Sequence, residues 1–244
     1  MFLPLKDINP TARTPYVTVT IIGVNALVYI SQMLLGPQFH TFIASFGATP
    51  FEITHMTDLV GTFSLGRSGL VHYPGPSPIV LTLFTSMFMH GSLLHLGGNM
   101  LYLWIFGNNI EDVLGPVRFI IFYLVCGLAA HALHIAMDPS SIIPTVGASG
   151  AISGVIGAYL IVYPKARVLT LIFLGFFIRM AVVPAFIIIV FWFVIQLVSA
   201  MASFGGMHGG GVAWFAHVGG FVAGVALIYA MAGDTIRWLR RGGH

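Results

Sequence analysis

Ser149 stands among small residues in Pro144-Thr-Val-Gly147-Ala-Ser149-Gly150-Ala-Ile-Ser-Gly-Val-Ile-Gly157, at the mouth of an apolar run that reaches Tyr163. Pro144 and Gly147 break any preceding helix, so the serine falls in the first turn of a new one, where unpaired backbone N–H groups and the positive end of the helix dipole face whatever its hydroxyl attacks. A hydroxyl without a base is a poor nucleophile at neutral pH, and His217, in Ala-His217-Val-Gly-Gly220-Phe-Val-Ala-Gly224, can supply that base and later protonate a leaving amine. His95 and Asn99, in His90-Gly-Ser-Leu-Leu-His95-Leu-Gly-Gly-Asn99, are four residues apart and share one helix face, a donor pair suited to a developing oxyanion. Each motif also has a plainer reading, since small-residue runs pack helices together and polar pairs tie neighbouring helices. No Asp or Glu lies in mid-segment to orient an imidazole, so the residues offer a dyad without a third carboxylate.

The elements that must carry these residues are membrane helices. Of the 244 residues, 57% are apolar and only 7% charged, a composition that excludes a soluble globule with a wetted surface. Spans are expected at about 16–35, 93–110, 117–137, 149–163, 181–203 and 212–232, leaving room for one domain. Residues 1–15 read as a cytoplasmic tail, 16–232 as the membrane domain, and 233–244 as a basic cytoplasmic tail. The apolar run 168–178 is too short to cross, is bracketed by Lys165, Arg167 and Arg179, and is placed on the inner face. With six spans and the N-terminus inside, Lys6, Arg13, Arg118, Lys165, Arg167, Arg179, Arg237, Arg240 and Arg241 all fall on the cytoplasmic side, with Arg67 outside. That sorting assigns the net charge of +3 to topology and not to nucleic-acid binding.

Helix rise turns sequence separations into depths. Ser149 is 16 residues from Lys165, His95 is 16 from Glu111 and His217 is 17 from Asp234, heights of roughly 24–26 Å above the inner boundary. The three side chains thus share a level several Å below the outer surface, where polar groups persist by lining a wet cavity or pairing with one another.

Other chemistries lack their residues. There is no His-Glu-x-x-His motif for zinc, and Asp112, Asp138 and Asp234 all sit at span ends, leaving no intramembrane aspartate pair. His131 and His134 are read as interface histidines, His90 as a support for the donor pair, and Cys126 as a small buried residue. Residues 36–78 form a long first loop, and the apolar stretch 79–89, too short to span, is expected to dip into the membrane edge. Phe204–Gly211, with five glycines in eight residues, reads either as a mobile lid or as a plain linker.

Taken together, His90-Gly-Ser-Leu-Leu-His95-x-x-x-Asn99, Gly147-Ala-Ser149-Gly150 and Ala216-His217-x-x-Gly220-x-x-x-Gly224, in this order on the second, fourth and sixth spans, resemble the rhomboid intramembrane serine proteases. The resemblance runs from Tyr16 to Met231. It implies an all-α membrane protein, a six-transmembrane-helix bundle with a partly embedded first loop, a fifth span acting as a lateral gate and a mobile cap before the sixth. It further implies Ser149 as nucleophile, His217 as general base, and His95, Asn99 and the Ser149 backbone N–H as the oxyanion hole, with Glu111 capping at the inner face. The implied activity is cofactor-free hydrolysis of peptide bonds in or beside transmembrane segments of other membrane proteins. A multi-pass protein of a bacterial plasma membrane is expected, its partners being transmembrane substrates and the lipid bilayer. Two departures stand out: Leu81-Thr82 replaces a Trp-Arg pair found in the first loop of some members, and Ser153 replaces a tyrosine that stacks on the catalytic imidazole in others. A non-catalytic rhomboid-like binder of membrane clients remains the alternative, with a small transporter disfavoured by the lack of midplane charges.

Overall fold

The computed structural model describes residues 2–65, 68–174, 177–203 and 212–240. Its helices are α1 (Tyr16–Leu34), α2 (Phe39–Phe46), α3 (Pro50–His55), α4 (Thr82–Thr85), α5 (Leu93–Leu114), α6 (Pro116–Met137), α7 (Ser149–Val162), α8 (Ala185–Ser203) and α9 (Trp214–Arg240), the last broken at Ala232. Its strands are β1 (Phe2–Asp7), β2 (Gly61–Leu65), β3 (Ser68–His72), β4 (Arg167–Leu174) and β5 (Phe177–Pro184). A helix stands at each stretch read as a span. By length and composition, α1, α6, α8 and α9 are each sufficient to cross a membrane, and the bent pair 79–88 with α5, at 78° to each other, makes a fifth candidate. The 14-residue α7 is shorter, about 21 Å against a hydrocarbon core of about 30 Å. The expected Arg67 and the lid-or-linker segment 204–211 lie outside the described residues.

Turn chemistry sets the helix limits that matter for the site. Ser92 caps α5, its hydroxyl accepting from the His95 backbone N–H at 3.1 Å, so the helix begins just ahead of His95 and Asn99. At its other end, Gly115 adopts φ +74°, and Pro116 starts α6 immediately. α7 occupies the centre. From Gly150 to Tyr159 every residue is buried, and Val155, Ile156 and Tyr159 join Phe106 and Ile110 of α5, Phe122 and Tyr123 of α6, and Phe221 and Ile228 of α9 in one core. Cys126 belongs to that core as well.

The all-α expectation needs correction. The segment placed on the inner face is a β4–β5 hairpin, and the N-terminal residues read as a tail form β1, which completes an antiparallel sheet in the order β1-β4-β5. The physical reason is length: eight-residue strands rich in Val, Leu, Ile and Phe are too short to span but suit paired strands. The β1 register slips between Pro4 and Lys6, as expected where proline supplies no donor to the ladder. A second hairpin, β2–β3, together with α2 and α3, gives the first loop internal structure.

At the same end of the bundle, Asp7 of β1 accepts from Asn109 Nδ2 at 2.6 Å and from the Tyr159 hydroxyl at 3.1 Å. Burial pushes its carboxyl above the ordinary range, although those hydrogen bonds favour the charged form. Glu111, at the last turn of α5, accepts from the backbone N–H groups of Val17 and Thr18 at 2.9 and 2.7 Å and from the Thr18 hydroxyl at 2.7 Å. A buried carboxylate thus serves as the N-terminal cap of α1, where helix dipole and orphan donors favour an anion.

The closest helix approach is between α7 and α9. A Cβ on Gly220 would overlap the Gly150 carbonyl oxygen, and one on Gly224 the Gly154 carbonyl oxygen; a Cβ on Gly157 would lie 2.6 Å from the Phe221 carbonyl oxygen. Backbone therefore meets backbone along three turns.

Two outcomes are expected. Glu111→Ala should destabilise the detergent-solubilised protein by about 1–3 kcal/mol, the cost of leaving buried donors unpaired; an unchanged melting temperature would remove the capping role. Gly220→Leu should separate α7 from α9, lowering the melting temperature and breaking the Ser149–His217 contact together. A mutant that kept wild-type stability would place this glycine face elsewhere than in the contact.

Candidate active site

Ser149 is the first residue of α7, and Gly147, at φ +130°, is the turn that lets the chain enter the helix there. A side chain at Gly147 would be strained by that conformation and would also meet the His95 ring, with a Cβ only 2.8 Å from Nε2. The Ser149 hydroxyl lies 2.8 Å from His217 Nε2. This is hydrogen-bond distance, reached because the glycine contact between α7 and α9 leaves no side chain to hold the helices apart. The arrangement can pass the serine proton to the imidazole as the oxygen attacks a carbonyl carbon.

The donor pair is close by. His95 packs its ring over Gly147, and Asn99, 8% exposed, holds its amide beside the same glycine. Asn99 Nδ2 donates to His90 Nε2 at 2.9 Å, using one of its two hydrogens and leaving the other for a second acceptor. His90 is itself fixed by Gln32 of α1, whose side chain bonds both its backbone N–H and its backbone carbonyl, at 3.1 and 3.3 Å. The four expected residues therefore gather around the start of α7: Ser149 and His217 in direct contact, His95 and Asn99 against the turn two residues earlier.

The first loop grips the segment that leads to Ser149. Ala48 and Thr145 exchange backbone hydrogen bonds at 3.0 and 2.9 Å, the Phe51 N–H donates to the Ser141 carbonyl at 3.0 Å, and the Gly147 N–H donates to the Ser86 carbonyl at 2.8 Å. His72, given no role from sequence, is buried and reaches the Ile142 carbonyl through Nε2 at 2.8 Å. His131 meets the Ser86 hydroxyl at 3.1 Å, tying α6 to the stretch before α5. A cavity of about 20 Å³ beside Ser149, lined in part by Met87, His131, Thr145, Gly147 and Ala216, has room for a single water. Thr82, at the departure noted in the first loop, is buried and donates to the Ile79 carbonyl at 2.7 Å.

Sequence reasoning missed the residues that surround His217 from α8. Gln196 Oε1 lies 2.7 Å from His217 Nδ1, and the rings of Trp192 and Trp214 flank the imidazole with centroids 6.1 Å away. The aromatic neighbours thus come from α8 and the start of α9, while Ser153 is buried and donates its hydroxyl to the Ser149 carbonyl at 2.6 Å. A signal for Gln196 was present: it is the one amide in a mostly apolar helix whose other polar side chains are Ser199 and Ser203, and such a residue calls for a partner at depth.

Known proteins resemble this chain over the same elements. Residues 78–233 match the rhomboid domain family. The chain is 31% identical over 151 residues to Rhomboid protease GluP of Bacillus subtilis, covering 62% of this chain and 27% of that protein. It is 33% identical over 97 residues to Rhomboid protein 1, mitochondrial, of Saccharomyces cerevisiae, covering 38% of this chain and 28% of that one. Over 106 residues it is 33% identical to Presenilin-associated rhomboid-like protein, mitochondrial, of Mus musculus, covering 43% and 28%. Each match spans little more than a quarter of the relative's own length. With the domain match extending over more than half of its residues and embracing the elements that bear Ser149, His217, His95 and Asn99, the chain belongs to the rhomboid family.

Proposed function

We propose that this protein is a serine endopeptidase that hydrolyses a peptide bond in or beside the transmembrane segment of another membrane protein. The observation that carries the reading is the 2.8 Å contact between the Ser149 hydroxyl and His217 Nε2. Ser149 Oγ attacks the scissile carbonyl carbon as its proton passes to His217 Nε2. The oxyanion is held by the second hydrogen of Asn99 Nδ2, by His95, and by the Ser149 backbone N–H at the start of α7. The imidazolium then protonates the leaving amine, and an acyl group remains on Ser149. Water deprotonated by His217 attacks that acyl carbon, releasing the new carboxyl end and returning the proton to Ser149. The cavity beside Ser149 supports this second step with a place for the water.

The topology we propose has six crossings, with α7 completing its span through the loop that precedes Ser149 and the 79–88 segment lodged partly within the membrane. The basic residues Lys6, Arg13, Lys165, Arg167 and Arg237 then share one face, which supports cytoplasmic termini. The several apolar helices support a multi-pass membrane protein, and the similar proteins come from a bacterium and from mitochondria alike.

Ser149→Ala is expected to abolish cleavage of a transmembrane reporter substrate in proteoliposomes and His217→Ala nearly to do so, with wild type but not the serine variant labelled by a fluorophosphonate. Full cleavage by Ser149→Ala would sink the protease reading and leave a binder of membrane clients. His95→Ala and Asn99→Ala should each lower kcat by about 100-fold, the range for loss of one oxyanion donor. Wild-type turnover in both, at wild-type melting temperature, would return the pair to helix packing.

A further inference from the structure

We propose that Gln196 is the positioning residue that completes the Ser149–His217 pair, accepting a hydrogen bond from His217 Nδ1–H and holding the imidazole in the tautomer whose Nε2 receives the serine proton. The inference rests on the protease reading of that pair. A dyad leaves the base with two tautomers, and only the one bearing hydrogen on Nδ1 presents an Nε2 lone pair to Ser149. In the structure Gln196 Oε1 is 2.7 Å from Nδ1 while Ser149 Oγ is 2.8 Å from Nε2, so the ring is gripped from both ends. A carbonyl oxygen only accepts, which assigns the hydrogen to Nδ1. Gln196 is 5% exposed, so water does not compete for this bond.

Helix geometry gives the contact its rigidity. Trp192 and Gln196 are four residues apart on α8 and so lie on one face, the face that reaches His217 with both an indole ring and an amide. The titratable side chains nearest His217 on other elements are His95 of α5 and His134 of α6. Among the described residues no carboxylate bonds to the ring. A neutral amide suits this depth better than a carboxylate, because it sets the tautomer without adding a buried charge that must stay paired through the resting state. An amide serving only to satisfy itself would find a backbone carbonyl or hydroxyl; this one meets the ring nitrogen opposite the serine.

The test compares wild type, Gln196→Leu and Gln196→Glu in proteoliposomes, measuring kcat and KM for a transmembrane reporter across pH, the rate of fluorophosphonate labelling, and the ¹⁵N NMR signature of His217, assigned by its loss in His217→Ala. Gln196→Leu should lower kcat about 10-fold to 100-fold, the worth of one hydrogen bond to the charged imidazolium, with KM unchanged and labelling slowed in parallel. Gln196→Glu should preserve kcat and move the acid limb of its pH profile upward, because a carboxylate favours the imidazolium. The NMR should show hydrogen on Nδ1 in wild type and a share shifted to Nε2 in Gln196→Leu. Wild-type kcat and pH profile in Gln196→Leu would overturn the proposal, as would equal losses in both variants with the acid limb and tautomer unmoved, the mark of a structural role. If wild type itself neither cleaved nor was labelled, the protease reading would fail, and the tautomer would still decide the Gln196 contact: hydrogen on Nε2 in wild type would overturn it.

Discussion

α7 and α9 touch backbone to backbone because Gly150, Gly154 and Gly157 on one side and Gly220 and Gly224 on the other present nothing larger than hydrogen. Without a hydrophobic force between helices in lipid, such closeness is how dispersion and weak carbonyl contacts accumulate. The same closeness sets the 2.8 Å distance between the Ser149 hydroxyl and His217 Nε2. Ser149 begins α7 and His217 lies one turn before Gly220, so the register of the glycine contact fixes the spacing between hydroxyl and imidazole. Helix packing and the Ser149–His217 contact are therefore not separable here, and a side chain added to this seam would act on both.

Around that seam, polar groups are linked in a chain and not singly. Gln32 holds the backbone of His90, the His90 ring accepts from Asn99, and Asn99 sits with His95 against the turn before Ser149. On the opposite side, the first loop and Ser86 clasp residues 141–147 through backbone bonds, and the Ser86 hydroxyl meets His131 of α6. Buried polar atoms in a low-dielectric interior are costly when unpaired, and a network of this kind converts that cost into positional constraint. α8 is the remaining wall. It places Trp192 and Gln196 against His217, so the posture of that imidazole depends on a helix that bears none of the residues that make the recognisable motif.

At the opposite end of the bundle from Ser149 the constraint is of another kind. Glu111 and Asp112 collect donors from the segment that enters α1, Asp112 accepting from the backbone N–H groups of Ala12 and Arg13 at 2.9 and 3.1 Å beside the Glu111 cap, while Asp7 accepts from Asn109 of α5 and Tyr159 of α7. The β1-β4-β5 sheet draws the N-terminal strand across the base of the bundle, joined to the start of α8 by the Ala185 N–H to the Ala166 carbonyl at 2.8 Å. The N-terminal residues are thereby part of the folded base on which α1, α5 and α8 stand.

Sequence by itself determined the membrane character, the six helical stretches and the four residues at the start of α7, because those features are local. Apolar length, glycine spacing and a helix-breaking turn act within one segment, and helix rise carries His95, Ser149 and His217 to a common depth without knowledge of their neighbours. Only the tertiary structure decided what pairs across segments. Strand pairing of residues 2–7 with 168–172 joins positions more than 160 residues apart, and no local pattern in a short strand names its partner. The same limit hid the neighbours of His217. Ser153 showed that no aromatic stood four residues after Ser149, but Trp192 and Gln196 reach the ring only through the rotation of α8 about its own axis, which packing sets and the order of its residues does not.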